Sequence, residues 1–160
     1  MRFAFSDNNG KNVKLNLEDN ESGKLSLNLG TVKVVGEEVV YELDVRHPIS
    51  YTKEQITAIL NEAAPCKVEQ GFFHLPLYVP KDHTLVKTLL NAYNKVMKTE
   101  AQPIAIGGGT YARVLPLGVA FGPCFPGSKA GIHCVDEYID LDEFDKAAEI
   151  YYEAFKKLLF

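Results

Sequence analysis

Three places in this 160-residue sequence bring together residue types that could do chemistry. The first is Gly107-Gly108-Gly109-Thr110. Glycines at the end of an apolar strand let the backbone approach a bound group without side-chain obstruction. A helical turn behind them would aim free N–H groups at a carboxylate or a developing oxyanion. The competing reading is a tight turn that only reverses the chain. A phosphate loop of the Gly-x-x-x-x-Gly-Lys-Ser/Thr kind is excluded because no lysine follows, although phosphate binding in an unrelated α/β fold stays open.

The second place is His133, which follows Phe125-Pro126-Gly127-Ser128-Lys129-Ala130-Gly131 and precedes Asp136-Glu137. Such a loop can present an imidazole to a metal with acidic groups nearby to orient it, but a lone loop histidine is also an ordinary solvated residue. The third is Arg46, at the end of a predicted strand on which Glu42 and Asp44 share its face. A guanidinium placed there could clamp a carboxylate with two parallel hydrogen bonds; the plainer alternative is a surface pair with Asp44. Cys124 and Cys134 could be soft ligands, yet their spacing fits no zinc pattern and a buried free thiol is the expectation for each. His47, His74 and His83 have no companions that raise them above packing or surface roles.

Elements able to position these residues are visible in the periodicity. Leu25, Leu27 and Leu29, then Val39, Tyr41, Leu43 and Val45, alternate around a turn at Gly36, which predicts an antiparallel pair with one buried face. Val13, Leu15 and Leu17 form a further candidate strand after a turn at Asn8-Asn9-Gly10. Thr52-Lys53-Glu54-Gln55 has capping-box spacing ahead of Ile56, Ile59, Leu60 and Ala63, a helix that must end before Pro65. Cys66 to Val79 reads as a strand leaving the first unit. Asp82 is the expected cap of a second helix running to about Lys98, and a third amphipathic helix starts near Leu141. Pro103 to Ile106 and Gly118 to Phe121 read as short buried strands. The expected class is therefore α+β, with a strand-rich lobe over residues 1–80 and an α/β lobe over residues 81–160.

Bulk properties narrow the partners. The apolar content of 46% is ample for a core, and a net charge of −4 with scattered lysines and arginines argues against nucleic acid. Three irregularly spaced cysteines suit a reducing cytoplasm better than a secreted disulfide framework. Met1 to Phe5 leads straight into polar residues, so no apolar signal core is expected, and no stretch is long enough to span a bilayer.

Taken together, three motifs resemble the zinc dipeptidases of the PepV type, within the wider aminoacylase, carnosinase and carboxypeptidase family. They are Leu43-Asp44-Val45-Arg46-His47-Pro48, Pro103-Ile104-Ala105-Ile106-Gly107-Gly108-Gly109-Thr110-Tyr111-Ala112-Arg113, and Phe125-Pro126-Gly127 leading to His133 and Asp136-Glu137-Tyr138-Ile139. The resemblance runs from about Lys24 onward. It implies that residues 1–80 are the second half of a ferredoxin-like lid and 81–160 the closing segment of an incomplete α/β catalytic domain. It also implies that Arg46 holds the substrate's terminal carboxylate, that Gly107 to Thr110 line the pocket, and that His133 is the last ligand of a two-zinc site. In that family the His-x-Asp motif, the bridging aspartate, the general-base glutamate and a lid histidine lie upstream, and nothing here matches them.

The expectation is thus the C-terminal portion of a zinc dipeptidase, with a dipeptide as the parent's substrate, inactive and without stably bound zinc when isolated. Its bare helix faces would be covered by the absent N-terminal half or by self-association. The alternative is a non-catalytic module that binds small carboxylates or serves assembly.

Overall fold

The structure is a computed structural model that describes residues 7–122 and 124–160, so the opening segment read for signal character lies outside the described residues. The alternating leucines do form a hairpin. Strand β3 (Ser26–Val35) pairs antiparallel with β4 (Glu38–Arg46), Leu27 opposite Val45 and Leu29 opposite Leu43. A bulge at Gly30 then shifts the register so that Thr31 faces Glu42. One extra residue on one strand would turn its alternation over. Here it puts Val32 and Val34 opposite Tyr41 and Val39, so that the apolar face continues to the tip.

Only the base of that face is covered. Leu25 and Leu27 are buried with Val13, Leu15 and Ile56, and Leu17, Leu43, Val45, Tyr51, Ile59, Leu60 and Ala63 pack around them. Towards the tip Val32, Val34 and Val39 stand exposed. The expected single buried face is therefore real for half the hairpin and bare for the rest. Val13 and Leu15 are core residues as their pattern suggests, but the first belongs to a 3-10 turn (Lys11–Val13) and no strand forms there. Lys14 has a left-handed φ of 58°, which ends the turn and breaks any extended run.

Helix α1 (Lys53–Ala63) starts with the full capping box: the Gln55 N–H donates to Thr52 Oγ1 at 3.3 Å, and the Thr52 N–H donates to Gln55 Oε1 at 2.8 Å. Two short strands, β1 (Glu18–Asp19) and β2 (Gly23–Lys24), make a second small antiparallel sheet. Asp19 ties their turn to the chain beyond β4. It accepts from the Ser22 N–H (2.6 Å) and hydroxyl (2.8 Å) on one oxygen, and from the Ser50 hydroxyl (2.8 Å) and N–H (3.1 Å) on the other.

Contacts divide the chain into two compact units. One holds the residues up to Tyr78 together with Ala105–Gly109; the other holds Val79–Ile104 and Thr110–Phe160. In the second unit helix α2 (Thr84–Met97) packs on helix α3 (Leu141–Leu159) through Val86 and Ala92 on one side and Ala147, Ile150 and Ala154 on the other. Lys95 reaches Glu153 at 2.7 Å across the same pair. The Tyr151 hydroxyl donates to the Phe121 carbonyl at 2.7 Å, and the two rings meet edge to face, which anchors the preceding loop.

Several expected elements are absent. Cys66 to Val79, Pro103 to Ile106 and Gly118 to Phe121 are irregular and not strands. Strands are held by hydrogen bonds to neighbouring strands, and among the described residues no partner strand flanks these three segments. Ile104 and Ile106 are accordingly exposed. The cap of α2 is His83, whose Nδ1 accepts from the Leu85 N–H at 3.1 Å, and not the expected Asp82. Helix α3 is capped by Asp140, which accepts from the Asp142 and Glu143 N–H groups. Paired sheets and helices together make an α+β chain. No helix among the described residues is long and apolar enough to cross a membrane.

Candidate functional site

Arg46 is the last residue of β4, so its direction is set by the covered base of the hairpin. Its guanidinium is held on two sides. Nε and Nη2 both donate to Asp44 Oδ2, at 3.3 and 3.2 Å, and Nη1 donates to the Gly107 carbonyl. The pair with Asp44 is the one that strand periodicity suggests. Glu42, also on that face, is engaged across the hairpin by the Thr31 hydroxyl and by Lys33. The Thr31 bond, then the Lys33 bond and charge, hold its carboxyl below the usual carboxylate range.

The next residue along the chain, His47, is fixed by packing. Its ring stacks on Phe73 with centroids 5.6 Å apart, and Lys53 lies over the Phe73 ring at 5.3 Å from its centroid. His47 Nδ1 lies 2.9 Å from the Pro48 carbonyl, which can only accept, so the proton sits there. Its Nε2 is buried with no hydrogen-bond partner among the described residues. The aromatic neighbour of His47 comes from the irregular stretch 64–80, which no periodicity could bring to it.

The glycine run is open. Gly107, Gly108 and Gly109 are exposed and none has a positive φ. A Cβ added to Gly107 would meet nothing within 4 Å, and one added to Gly108 would touch only Ile106 Cδ1 at 3.4 Å. Neither conformation nor crowding among the described residues demands glycine at these two positions. Thr110 caps a 3-10 turn (Tyr111–Val114) by accepting the Ala112 N–H at 3.2 Å, so one N–H of that turn is already used internally.

His133 lies in the second unit, exposed and with a left-handed φ of 59°. Glu137 accepts the His133 backbone N–H at 3.1 Å. The carboxylate expected near this histidine thus fixes its backbone and not its ring. Among the described residues no three His, Cys, Asp or Glu side chains are grouped so as to hold a metal ion. All three cysteines are free and exposed, which corrects the expectation of buried thiols for Cys124 and Cys134. They lie in irregular segments with too few neighbours to cover them.

The structure therefore joins two of the sequence-selected features, Arg46 and the glycine run, and leaves His133 without companion ligands among the described residues. Comparison with known proteins gives this arrangement a context. A family model described as "Peptidase family M20/M25/M40" matches residues 5–157. The chain is 37% identical over 153 residues to a Bacillus subtilis (strain 168) protein named "Putative dipeptidase YtjP", covering 95% of this chain and 33% of that protein. It is 33% identical over 158 residues to a "Putative dipeptidase" of Staphylococcus epidermidis, covering 96% of this chain and 34% of that one. A "Putative dipeptidase SSP1012" of Staphylococcus saprophyticus is 30% identical over 161 residues, with 98% and 34% covered. The chain spans about a third of the length of these curated relatives. With a single family model accounting for nearly every residue from the hairpin to the last helix, the chain belongs to peptidase family M20/M25/M40.

Proposed function

We propose that this chain is the carboxylate-recognising portion of a zinc-dependent dipeptidase. Arg46 holds the terminal carboxylate of a short peptide, Gly107, Gly108, Gly109 and Thr110 line the pocket, and His133 gives one zinc ligand. Residues 1–80 act as half of a lid and residues 81–160 as the closing segment of the catalytic domain. The observation that carries this reading is the hydrogen bond from Arg46 Nη1 to Gly107, which brings a bidentate cation and a side-chain-free backbone together. Glycines that the local fold does not require support it, because open backbone leaves room for a ligand.

The family is generally metal-dependent. A hydrolytic zinc takes about three protein ligands and an open position. The described residues bring no such group together. Hydrolysis is expected only where further residues supply the missing ligands and the base. Three free thiols suit a reducing compartment, and we place the protein in the cytoplasm.

The test is dipeptide hydrolysis by the purified 160-residue chain with and without added zinc. No turnover is expected in either case, and zinc-dependent turnover by these residues alone would overturn the reading. An in-frame His-x-Asp motif in the coding sequence upstream of Met1 is the matching genetic expectation. A second reading, a module that binds carboxylates without turnover, rests on the same Arg46–Gly107 contact. That reading requires dipeptide binding indifferent to zinc in calorimetry and no such upstream motif.

A further inference from the structure

The guanidinium of Arg46 offers five N–H donors in a planar fork. Its side edge, Nε with Nη2, is taken by a single oxygen of Asp44. Its end edge, Nη1 with Nη2, is the one on which an incoming carboxylate could lay both oxygens, and Nη1 is already donating to the Gly107 carbonyl. Arg46 and Gly107 are separated by 61 residues, so this contact is tertiary and not a local consequence of strand geometry. Gly107 belongs to Ala105–Gly109, the five residues that join the hairpin's unit while the chain on either side belongs to the other.

We infer that the Gly107 carbonyl is a built-in neutral competitor for Arg46, and that it makes the arginine selective for a free carboxylate over an amide. This rests on the reading that Arg46 is the carboxylate clamp. A neutral amide oxygen offers the guanidinium one bond to an uncharged acceptor, no better than the one Gly107 already makes. A carboxylate offers two parallel bonds to a charged acceptor, adding a second bond and ion-pair attraction to what a single neutral carbonyl gives, and so can displace the carbonyl. A peptide ending in a free carboxylate gains entry; a blocked end, or an internal peptide bond at that position, does not. Gly107 needs no side chain for this, and a Cβ built on it would meet nothing within 4 Å.

The sequence supplies a direct probe. Gly107-Gly108 and Gly108-Gly109 are its only glycine–glycine bonds, so a chain grown with glycine labelled at both the carbonyl carbon and the nitrogen shows just these carbonyls as coupled carbon–nitrogen pairs in NMR. The full chain is titrated into the millimolar range with N-acetyl-alanine and, separately, with N-acetyl-alanine amide, with calorimetry in parallel. The carboxylate is expected to move the Gly107 carbonyl resonance, and the amide to leave it in place and bind at least about tenfold more weakly. In Arg46→Gln the resonance should start at the released position and respond to neither ligand.

Carboxylate binding that depends on Arg46 without moving Gly107 overturns the competitor and leaves the clamp standing. Equal affinity for the amide removes the clamp along with the competitor, because no carboxylate charge is then being read. No binding of the carboxylate to the wild-type chain removes both. Should Arg46→Gln fail to fold, the two wild-type titrations still decide, since the contrast between the ligands is read without a variant.

Discussion

At the scale of single residues, the glycine run separates what the fold needs from what a ligand would need. Gly36 and Gly127, with φ of 63° and 83°, occupy backbone that L side chains rarely adopt. Gly107 does not, and its missing side chain faces open space. Gly107→Ala should therefore change stability by no more than about 0.5 kcal/mol, as surface substitutions away from special features do. The new methyl group would still stand on the backbone that faces the ligand. Thermal unfolding close to wild type, with loss of N-acetyl-alanine binding in calorimetry, is the expected result. A large drop in stability would instead make the glycine structural. His133 is the opposite case. Its loop chemistry was readable from the sequence, but the Glu137 contact to its backbone was not, because a sequence does not say which atoms of a carboxylate and a loop will meet.

Among the elements, Asp19 is the connection with the clearest energetic consequence, because it links the β1–β2 turn to Ser50 just beyond Arg46. Burial raises its pKa. Hydrogen bonds from the Ser22 N–H and hydroxyl and from the Ser50 hydroxyl and N–H outweigh this and take it far below the usual carboxylate range. A carboxyl whose folded pKa is depressed adds stability above its unfolded pKa, and loses it as pH falls towards the folded value. Asp19→Asn should thus cost about 2 kcal/mol near neutral pH. The gap to wild type should narrow below about pH 4, where the unfolded carboxyl takes up its proton. Urea unfolding at both pH values measures this, and a gap independent of pH would count against the charged cluster. Elements set by local pattern were legible: the hairpin around Gly36, the Thr52–Gln55 capping box, and the stripes of α2 and α3. The bulge at Gly30 was not, since it shows only in cross-strand register. The expected strands at 66–79, 103–106 and 118–121 failed for a related reason: apolar content can mark a buried strand, but only neighbouring strands can make one.

For the whole molecule, the quantity that matters is uncovered surface. The chain exposes 12027 Å². Surface scaling gives roughly 9,600 Å² for two wholly separate compact bodies of about 80 residues each, so the excess is at least roughly 2,400 Å². An excess of that size matches one side of a large obligate protein interface, about 1,000–2,500 Å² per partner. Much of it is apolar. Val34 and Val35 at the hairpin tip, Ile104 and Ile106 before the glycines, and Leu141, Phe144, Phe155 and Leu159 on α3 are all exposed. Such surface is covered in a stable protein, and the curated relatives carry about two thirds of their length beyond the matched segment. The isolated chain should therefore self-associate. Sedimentation velocity across a hundredfold concentration range should show species larger than a monomer that grow with concentration, together with strong binding of an apolar dye. Val34→Lys with Val39→Glu, which charges one face of the hairpin tip at paired positions, should lower both signals without unfolding the base, where Leu25, Leu27 and Ile56 lie. A monodisperse monomer with little dye binding would mean that these residues cover their own surface, and the case for a missing partner segment would fall with it.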